Sequence, residues 1–243
     1  MDILSSSGFA NAMFQICNLK PGSGCLSAPV CSSWVFMSRG STCRTKARPL
    51  GRCDSEGVQN GNIMTARVLI LMLLASAKGI FWLLEQPASS IMEHHPCFQE
   101  VLGMVHLVKK TIYMQNYGGA SPKPTILYSS HRAVDDLVHF QSSGQSSQQE
   151  RPQTYVRYQG ANGNVSTRGG RDLKATQAYP DGFGVALAKT RTVHSRAVRE
   201  QAQKFLKKAR KRSTREPANT CTETNKRWLE MANLQPVIDF LAG

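Results

Sequence analysis

Apolar residues in the first 140 positions alternate between helical spacing and short strand-like runs. Helical spacing over residues 10–19 and 63–78 predicts two helices, and the polar stretch 38–62 is predicted to be a loop. The strand-like runs are residues 1–4, 25–28, 80–84, 108–114 and 125–128. This alternation of strands and helices favours an α/β layer with a mainly parallel sheet.

The strand-like run at residues 80–84 ends in Glu85, which is followed by an amide and a proline. A buried segment that stops on a carboxylate either emerges into water or delivers the charge to a site. In open α/β sheets, ligands lie beyond the carboxyl ends of the strands. We therefore expect Cys31, Glu85 and residues 117–123 to meet at one edge of the sheet. A solvated strand end and a helix-capping acid are the alternatives for Glu85.

Residues 68–84 are apolar over a length that approaches a membrane span. Lys78 and Gly79 interrupt this stretch, however, and a charge at the centre of a span is costly. A buried helix ended by Gly79, followed by a buried strand, explains the interruption. No membrane partner is expected from this segment.

The composition changes near position 140, where a stretch rich in Gln, Ser and Gly begins. Between residues 189 and 215 there are eleven Lys or Arg and one acid, Glu200. The predicted regions are an α/β domain (1–140), a flexible linker (141–178), a basic amphipathic helix (179–215) and a short C-terminal helix or tail (216–243). The predicted fold class is α/β, with a partial Rossmann-like, mainly parallel sheet and a basic helical C-terminal extension.

The chain carries 30 Lys and Arg against 16 Asp and Glu, a formal net charge of +14. This excess favours an anionic partner, and we expect DNA, with RNA as the alternative. The run KKARKR at 207–212 is typical of nuclear localisation, so a nuclear protein is predicted, with the cytoplasm as the alternative. A solvated basic face and a membrane-surface helix are the other interpretations of the basic helix. The sequence leaves the oligomeric state open.

Seven cysteines are scattered along the chain without a Cys-x-x-Cys pair. This usage indicates reduced thiols in an intracellular protein. Glu93, His94, His95 and Cys97 are metal-ligand residue types, but their spacing is too tight for a tetrahedral zinc site without a second cluster. No metal site is predicted.

Three motifs follow one another in the first 140 residues: SAPVCSSW (27–34), FWLLEQPASS (81–90) and YGGASPKPTILYSS (117–130). In this order they resemble the S-adenosylmethionine-dependent cytosine-C5 DNA methyltransferases, in a divergent and truncated form of the phage, selfish-element or dinoflagellate type. The resemblance covers about residues 1–140, with YPDGFGVALA (179–188) as a further candidate segment, and does not extend to the linker or the basic tail.

In that family a cysteine thiolate adds to C6 of cytosine, and a strand-end glutamate holds N3 and the exocyclic amine. The resemblance implies that Cys31 is the nucleophile and Glu85 the base-holding acid. Arg39 and Arg44 would stabilise the thiolate. Burial would raise the pKa of Glu85, so that it could donate a proton to the ring nitrogen. A small buried hydrophobe is the alternative for Cys31.

The resemblance implies S-adenosylmethionine as the cofactor, with Asp2, Gly8 and Phe9 as the residues that would bind it. The residues expected to contact nucleic-acid phosphates are Arg39, Arg44, Lys123, Lys207, Lys208, Arg210, Lys211 and Arg212. Because the cofactor half is short, we expect weak or no methyl transfer. The alternatives are a non-catalytic nucleic-acid-binding protein that acts through its basic helix, and a gene product without a function of its own.

Overall fold

The structure is a computed structural model that describes residues 2–138, 153–160, 162–163, 165–213 and 226–242. The strands are β1 (Gly24–Ser27), β2 (Phe81–Pro87), β3 (Val108–Tyr113), β4 (Pro124–Ser129), β5 (Tyr155–Gln159) and β6 (Val165–Gly169). The helices are α1 (Ser6–Asn18), α2 (Arg39–Thr42), α3 (Glu56–Ala77), α4 (Pro96–Met104), α5 (Asp135–Val138), α6 (Asp181–Ser213), α7 (226–231) and α8 (Gln235–Ala242).

Strands β1 to β4 form one sheet in the order β1-β2-β4-β3. The β1–β2 pair is parallel, and α3 lies in the long connection that this direction requires. Strand β4 runs antiparallel to both of its neighbours, since the connection from β3 is a short one of ten residues, 114–123. The predicted α/β class is confirmed, whereas two of the three pairings are antiparallel rather than parallel.

Strand β2 is buried on both faces, because its side chains alternate between two hydrophobic clusters. Trp82 and Leu84 pack with α1, α3 and α4 on one face of the sheet. Phe81 and Leu83 pack on the other face, against the start of α6. The same alternation directs Glu85 toward the α6 face.

Helix α3 is the central helix of the larger cluster and begins at Glu56, seven residues before the predicted start at position 63. It is long and apolar enough to cross a membrane, but more than half of its most apolar stretch is buried inside the protein. Its first turns are rich in polar residues and glycine, and there the Val58 carbonyl and the Asn62 side chain accept hydrogen bonds from Arg44. This polarity hid the start of the helix from the hydrophobic pattern.

The N-terminal segment is a capped helix start and not the strand predicted at residues 1–4. The Ser5 hydroxyl accepts a hydrogen bond from the Gly8 N–H (3.1 Å) and donates one to the Asp2 carbonyl (2.9 Å). A Cβ at Gly8 would lie 1.9 Å from that carbonyl oxygen, so this close turn requires glycine. Polar capping therefore outweighed the apolar pair Ile3 and Leu4.

The later segments contain more regular structure than the sequence indicated. Within the predicted linker, β5 and β6 pair as an antiparallel hairpin. Helix α6 docks through Phe183, Ala186 and Val198, which are buried in the smaller cluster. The predicted C-terminal helix is two helices, α7 and α8, and Pro236 lies in the first turn of α8, where its missing N–H costs nothing.

Arg67, in the middle of α3, joins the two ends of the chain. Its side chain is 1% exposed and donates five hydrogen bonds to backbone carbonyls. Three acceptors are residues 3–5 before α1, and two are Ala232 and Asn233 after α7. The guanidinium also lies 5.1 Å from the ring centroid of Phe9. A buried charge with all of these partners fixes both termini against α3.

Replacing Arg67 by Met should lower the free energy of unfolding by about 3 kcal/mol or more, because several buried carbonyls lose their donors. Arg52→Met is the matched control, since Arg52 makes only an exposed ion pair with Asp54 and should change stability little. Urea denaturation measures both variants. Equal stability of the two would show that the termini are held without Arg67.

Candidate functional site

Glu85 is a buried carboxylate with one oxygen bonded and one oxygen without a partner. It is 5% exposed and lies in β2, two residues before the strand ends at Pro87. Its Oε2 accepts a hydrogen bond of 2.8 Å from the Tyr179 hydroxyl. Its Oε1 is buried and has no hydrogen-bond partner among the described residues. Buried polar atoms are almost always paired, so an unpaired carboxylate oxygen at a strand end is a candidate ligand contact.

Tyr179 approaches Glu85 from the segment that leads into α6. Its ring stacks on Phe183 in the first turn of that helix, with centroids 5.7 Å apart and planes at 29°. The ammonium of Lys123 lies 4.7 Å from the centroid of the Tyr179 ring, a cation–π distance. Two segments that are distant in sequence from β2 therefore meet beside Glu85.

Lys123 reaches this edge because β4 is antiparallel to β2. In the register, Pro87 at the end of β2 is opposite Thr125 at the start of β4, so Lys123 lies just beyond the end of β2. Its backbone has φ +30°, a left-handed conformation that is strained for a residue with a side chain. The sequence predicted that residues 117–123 would lie near Glu85, although it assumed parallel strands.

Cys31 lies in the loop that follows β1, and β2 holds this loop. The Gln86 side-chain amide donates a hydrogen bond of 3.2 Å to the Pro29 carbonyl and accepts one of 3.0 Å from the Ser90 hydroxyl. Cys31 is close enough to Glu85, Lys123 and Tyr179 to interact with them electrostatically. The structure thus brings Cys31 and Glu85 to the same edge of the sheet, as the sequence predicted.

Burial raises the pKa of the Glu85 carboxyl, while the Tyr179 hydrogen bond and the Lys123 charge oppose the shift. The pKa of the Tyr179 hydroxyl is also raised, by burial and then by the neighbouring carboxylate. Tyr179 therefore stays protonated and acts as a hydrogen-bond donor. The neutral form of Glu85 can in turn donate a proton through Oε1, which agrees in direction with the sequence-based prediction.

The surroundings of Cys31 disfavour the ionised form of its thiol. Burial raises its pKa, and the negative charge of Glu85 raises it further. The thiol's own backbone and the positive charge of Lys123 act in the opposite direction. The charge that favours the Cys31 thiolate thus comes from Lys123, whereas the sequence had assigned this role to Arg39 and Arg44.

Arg44 is an interior residue and cannot contact a nucleic-acid phosphate as predicted. It is 1% exposed, and its guanidinium lies 3.5 Å from the centroid of the Trp34 ring. It donates hydrogen bonds to Asn62 and to the Val58 carbonyl, and burial lowers its pKa to about 10. Nothing in the local pattern indicated that this charge would join the Cys31 loop to α3.

Arg39 is partly buried on the other side of the same loop. Its guanidinium donates a hydrogen bond of 3.1 Å to the Ser89 carbonyl and lies 5.5 Å from the centroid of the Phe36 ring. Phe36 is largely exposed. Arg39 therefore fixes the loop after Cys31 to the turn after β2.

The three residues expected to bind S-adenosylmethionine do not form a cradle for it. Phe9 is buried in the larger cluster, and Gly8 packs directly on the Asp2 backbone. The Asp2 carboxylate accepts the Leu4 N–H at 2.9 Å. All three residues are thus engaged in contacts that form or pack the start of α1. Their arrangement does not fit the predicted cofactor site.

The basic residues expected to contact nucleic acid occupy the far part of α6. Lys207 is exposed, as are Arg196 and Lys204 one to three turns earlier. The side chains of Lys208, Arg210, Lys211 and Arg212 lie outside the part of the chain that the structure describes. Val198 is buried on the predicted apolar face, whereas Leu206 is 39% exposed.

His95, from the motif with metal-ligand residue types, is a buried structural residue. Its Nδ1 accepts the Cys97 N–H at the start of α4, and its ring meets Trp34 edge-on with centroids 5.8 Å apart. Burial, and then the charge of Arg44, lowers its pKa to about 3, so the ring is neutral. Across the described ranges, no group of three His, Cys, Asp or Glu residues could hold a metal ion.

Tyr179 and Gln86 are the site residues that sequence reasoning missed. Gln86 directly follows Glu85, and only its place in the motif FWLLEQPASS could have indicated a role at the site. Tyr179 is 94 positions from Glu85, and no local pattern connects the two. An aromatic residue immediately before the Pro-Asp-Gly entry to a helix was the available hint.

No protein-family model matches the chain, and no curated protein or solved structure is significantly similar to it.

Replacing Tyr179 by Phe should raise the pKa of Glu85 further, because the hydrogen bond that favours its ionised form is lost. Carbon-13 NMR of the Glu85 carboxyl over a pH series measures this shift. Tyr128→Phe is a matched control on the opposite face of the sheet, where Tyr128 bonds to Glu93 at 3.0 Å. It should raise the pKa of Glu93 and leave that of Glu85 unchanged.

Replacing Glu85 by Gln should lower the pKa of Cys31, since one of the two effects that raise it disappears. The pH–rate profile of Cys31 alkylation, followed by peptide mass spectrometry, should move to lower pH. Cys25 is the internal control, because burial alone raises its pKa. If the Cys31 profile stayed in place, the two side chains would not share a site.

Proposed function

We propose that this chain is a cytosine-C5 DNA methyltransferase-like protein whose Glu85 site binds a cytosine base, with weak or no methyl transfer. The observation that carries the proposal is the unpaired, buried Oε1 of Glu85 beside Cys31. A neutral carboxylic acid at this position offers a donor to N3 of cytosine, which is an acceptor in the neutral base. A base paired in a duplex hides N3, so the base must be unpaired or extruded to reach the site.

The architecture around β2 supports a ligand site of the Rossmann-like kind. Strands β1 and β2 are parallel neighbours joined through α3. Cys31 lies in the loop after β1, and Glu85 lies in β2, two residues before its end. In α/β sheets this edge is where ligands bind. The flat Tyr179 ring and the Lys123 ammonium add an aromatic surface and a positive charge beside it.

Cys31 is the residue that would add to C6 of the bound base. Addition needs the thiolate, since the thiol is a poor nucleophile. The raised pKa of Cys31 keeps most of the sulfur protonated at neutral pH. Together with the occupied positions of Asp2, Gly8 and Phe9, this supports a protein that holds cytosine better than it modifies it.

Binding of cytosine should weaken as pH rises through the raised pKa of Glu85, because the neutral acid donates and the carboxylate cannot. Glu85→Gln keeps an amide donor of the same shape, so its binding should lose this pH dependence. Glu85→Ala should lose about tenfold in affinity for an oligonucleotide with one unpaired cytosine. Fluorescence anisotropy across the acidic to neutral pH range measures all three proteins.

The control ligand has an unpaired thymine in place of cytosine, since its N3–H is a donor and cannot accept from the neutral acid. Equal affinity for the two oligonucleotides in the unaltered protein would disprove a cytosine site. Lys123→Gln is the matched charge variant at the same edge of the sheet. It should lower the affinity for both ligands, because a contact with phosphate does not depend on the base. Because the Lys123 charge also lowers the pKa of Glu85, the two ligands are compared at a pH where Glu85 is already neutral.

A second candidate is a non-catalytic nucleic-acid-binding protein that acts through α6. The observation that favours it is the exposure of Arg196, Lys204 and Lys207 along one long helix. Replacing Lys204 and Lys207 by Gln would then reduce affinity and its salt dependence for every oligonucleotide. The same double variant would leave the preference for cytosine intact under the first proposal.

A further inference from the structure

The β5–β6 hairpin presents a face that combines an aromatic ring, a guanidinium and an amide. Tyr155, Arg157 and Gln159 alternate along β5 and point to the same side. On β6, Val165 lies opposite Gln159 and completes this face. Tyr155 is 51% exposed and Val165 is 69% exposed, and Arg157 and Gln159 are exposed as well. We call these four residues the ribbon face.

The ribbon face has the chemistry of a nucleobase-stacking surface. The Arg157 guanidinium lies 5.9 Å from the centroid of the Tyr155 ring, so a flat ring and a cation are adjacent on the same strand. A base can stack on the tyrosine while the guanidinium contacts the neighbouring phosphate. A two-stranded hairpin is only marginally stable alone, so a bound ligand would also stabilise it.

Charge restricts what can cover this face. Residues 153–174 contain one acid and four basic residues, which are Arg157, Arg168, Arg171 and Lys174. The acid, Asp172, already pairs with Arg171 at 3.5 Å. A second copy of the chain would bring like charges together. An acidic peptide would satisfy the charge but offers no regular series of flat rings for Tyr155. A strand of nucleic acid supplies both phosphates and rings.

An unpaired strand fits better than a duplex. In a duplex the faces of the bases are stacked on one another and closed to a tyrosine ring, whereas in a single strand they are available. We propose that the ribbon face binds single-stranded nucleic acid by stacking a base on Tyr155. The ribbon face shares no residue with the Glu85 site, and the proposal does not depend on methyl transfer.

The test measures binding of the full chain to a fluorescent single strand of about 12 nucleotides. Tyr155→Ala should weaken binding by about 5- to 150-fold, the usual effect of losing one stacked base. Tyr155→Phe keeps the ring and should retain the affinity. Tyr113→Ala is the matched control, because Tyr113 is 49% exposed on a different strand, β3, and should have little effect.

A second arm uses the same strand with abasic sites, which keeps the phosphates and removes the rings. The unaltered protein should bind this abasic strand more weakly than the intact strand. On the abasic strand, Tyr155→Ala should cause no further loss of affinity. The proposal would be overturned if Tyr155→Ala reduced the affinity for duplex and for single strand equally. It would also be overturned if Tyr113→Ala reduced the affinity for the single strand as much as Tyr155→Ala does. A change in oligomeric state with unchanged binding would identify the face as a contact between copies instead.

The outcome is independent of the cytosine proposal. If Tyr155→Ala weakens binding to strands of every base composition while Glu85→Ala changes nothing, the ribbon face stands and the cytosine site falls. If instead Glu85→Ala weakens binding and Tyr155→Ala changes nothing, only the ribbon-face proposal is rejected.

Discussion

Strand β2 is buried on both faces, and this constraint determines the rest of the site. A strand has a period of two, so the side chains after Leu84 must continue into the same two layers. Glu85 therefore enters the layer of Phe81 and Leu83, where a lone charge is costly. A hydrogen bond from Tyr179 and a raised pKa offset this cost, and Oε1 has no partner in the part of the chain that the structure describes.

The partners of Glu85 depend on how the sheet and α6 are assembled. Lys123 is adjacent only because β4 runs antiparallel beside β2, and Tyr179 is adjacent only because Phe183 docks α6 on the smaller cluster. Packing of the core and formation of the site are consequently one process. Arg44 and Arg67 contribute from inside, since each uses its charge to join distant segments of backbone to α3.

The sequence predicted the parts of this site that are local in the chain. The apolar run before Glu85 and the motif around Cys31 were sufficient to predict that both lie at one edge of the sheet. The direction of β4 was not predictable from its own residues, because apolar periodicity is the same for either direction. Three further features depend on tertiary contacts, which the local sequence pattern does not encode. They are the contact of Tyr179 with Glu85, the interior position of Arg44 and the start of α3.

Burial affects the two candidate reacting groups in opposite ways. It raises the pKa of Glu85 and so favours the protonated form that can donate a hydrogen bond, and it disfavours the thiolate of Cys31 that acts as the nucleophile. The two groups also interact, since ionised Glu85 raises the pKa of Cys31. A base that accepts a hydrogen bond from the protonated Oε1 would keep Glu85 neutral and remove that effect. Ionisation of Cys31 would then become easier once the base is in place, which links recognition of the base to activation of the sulfur.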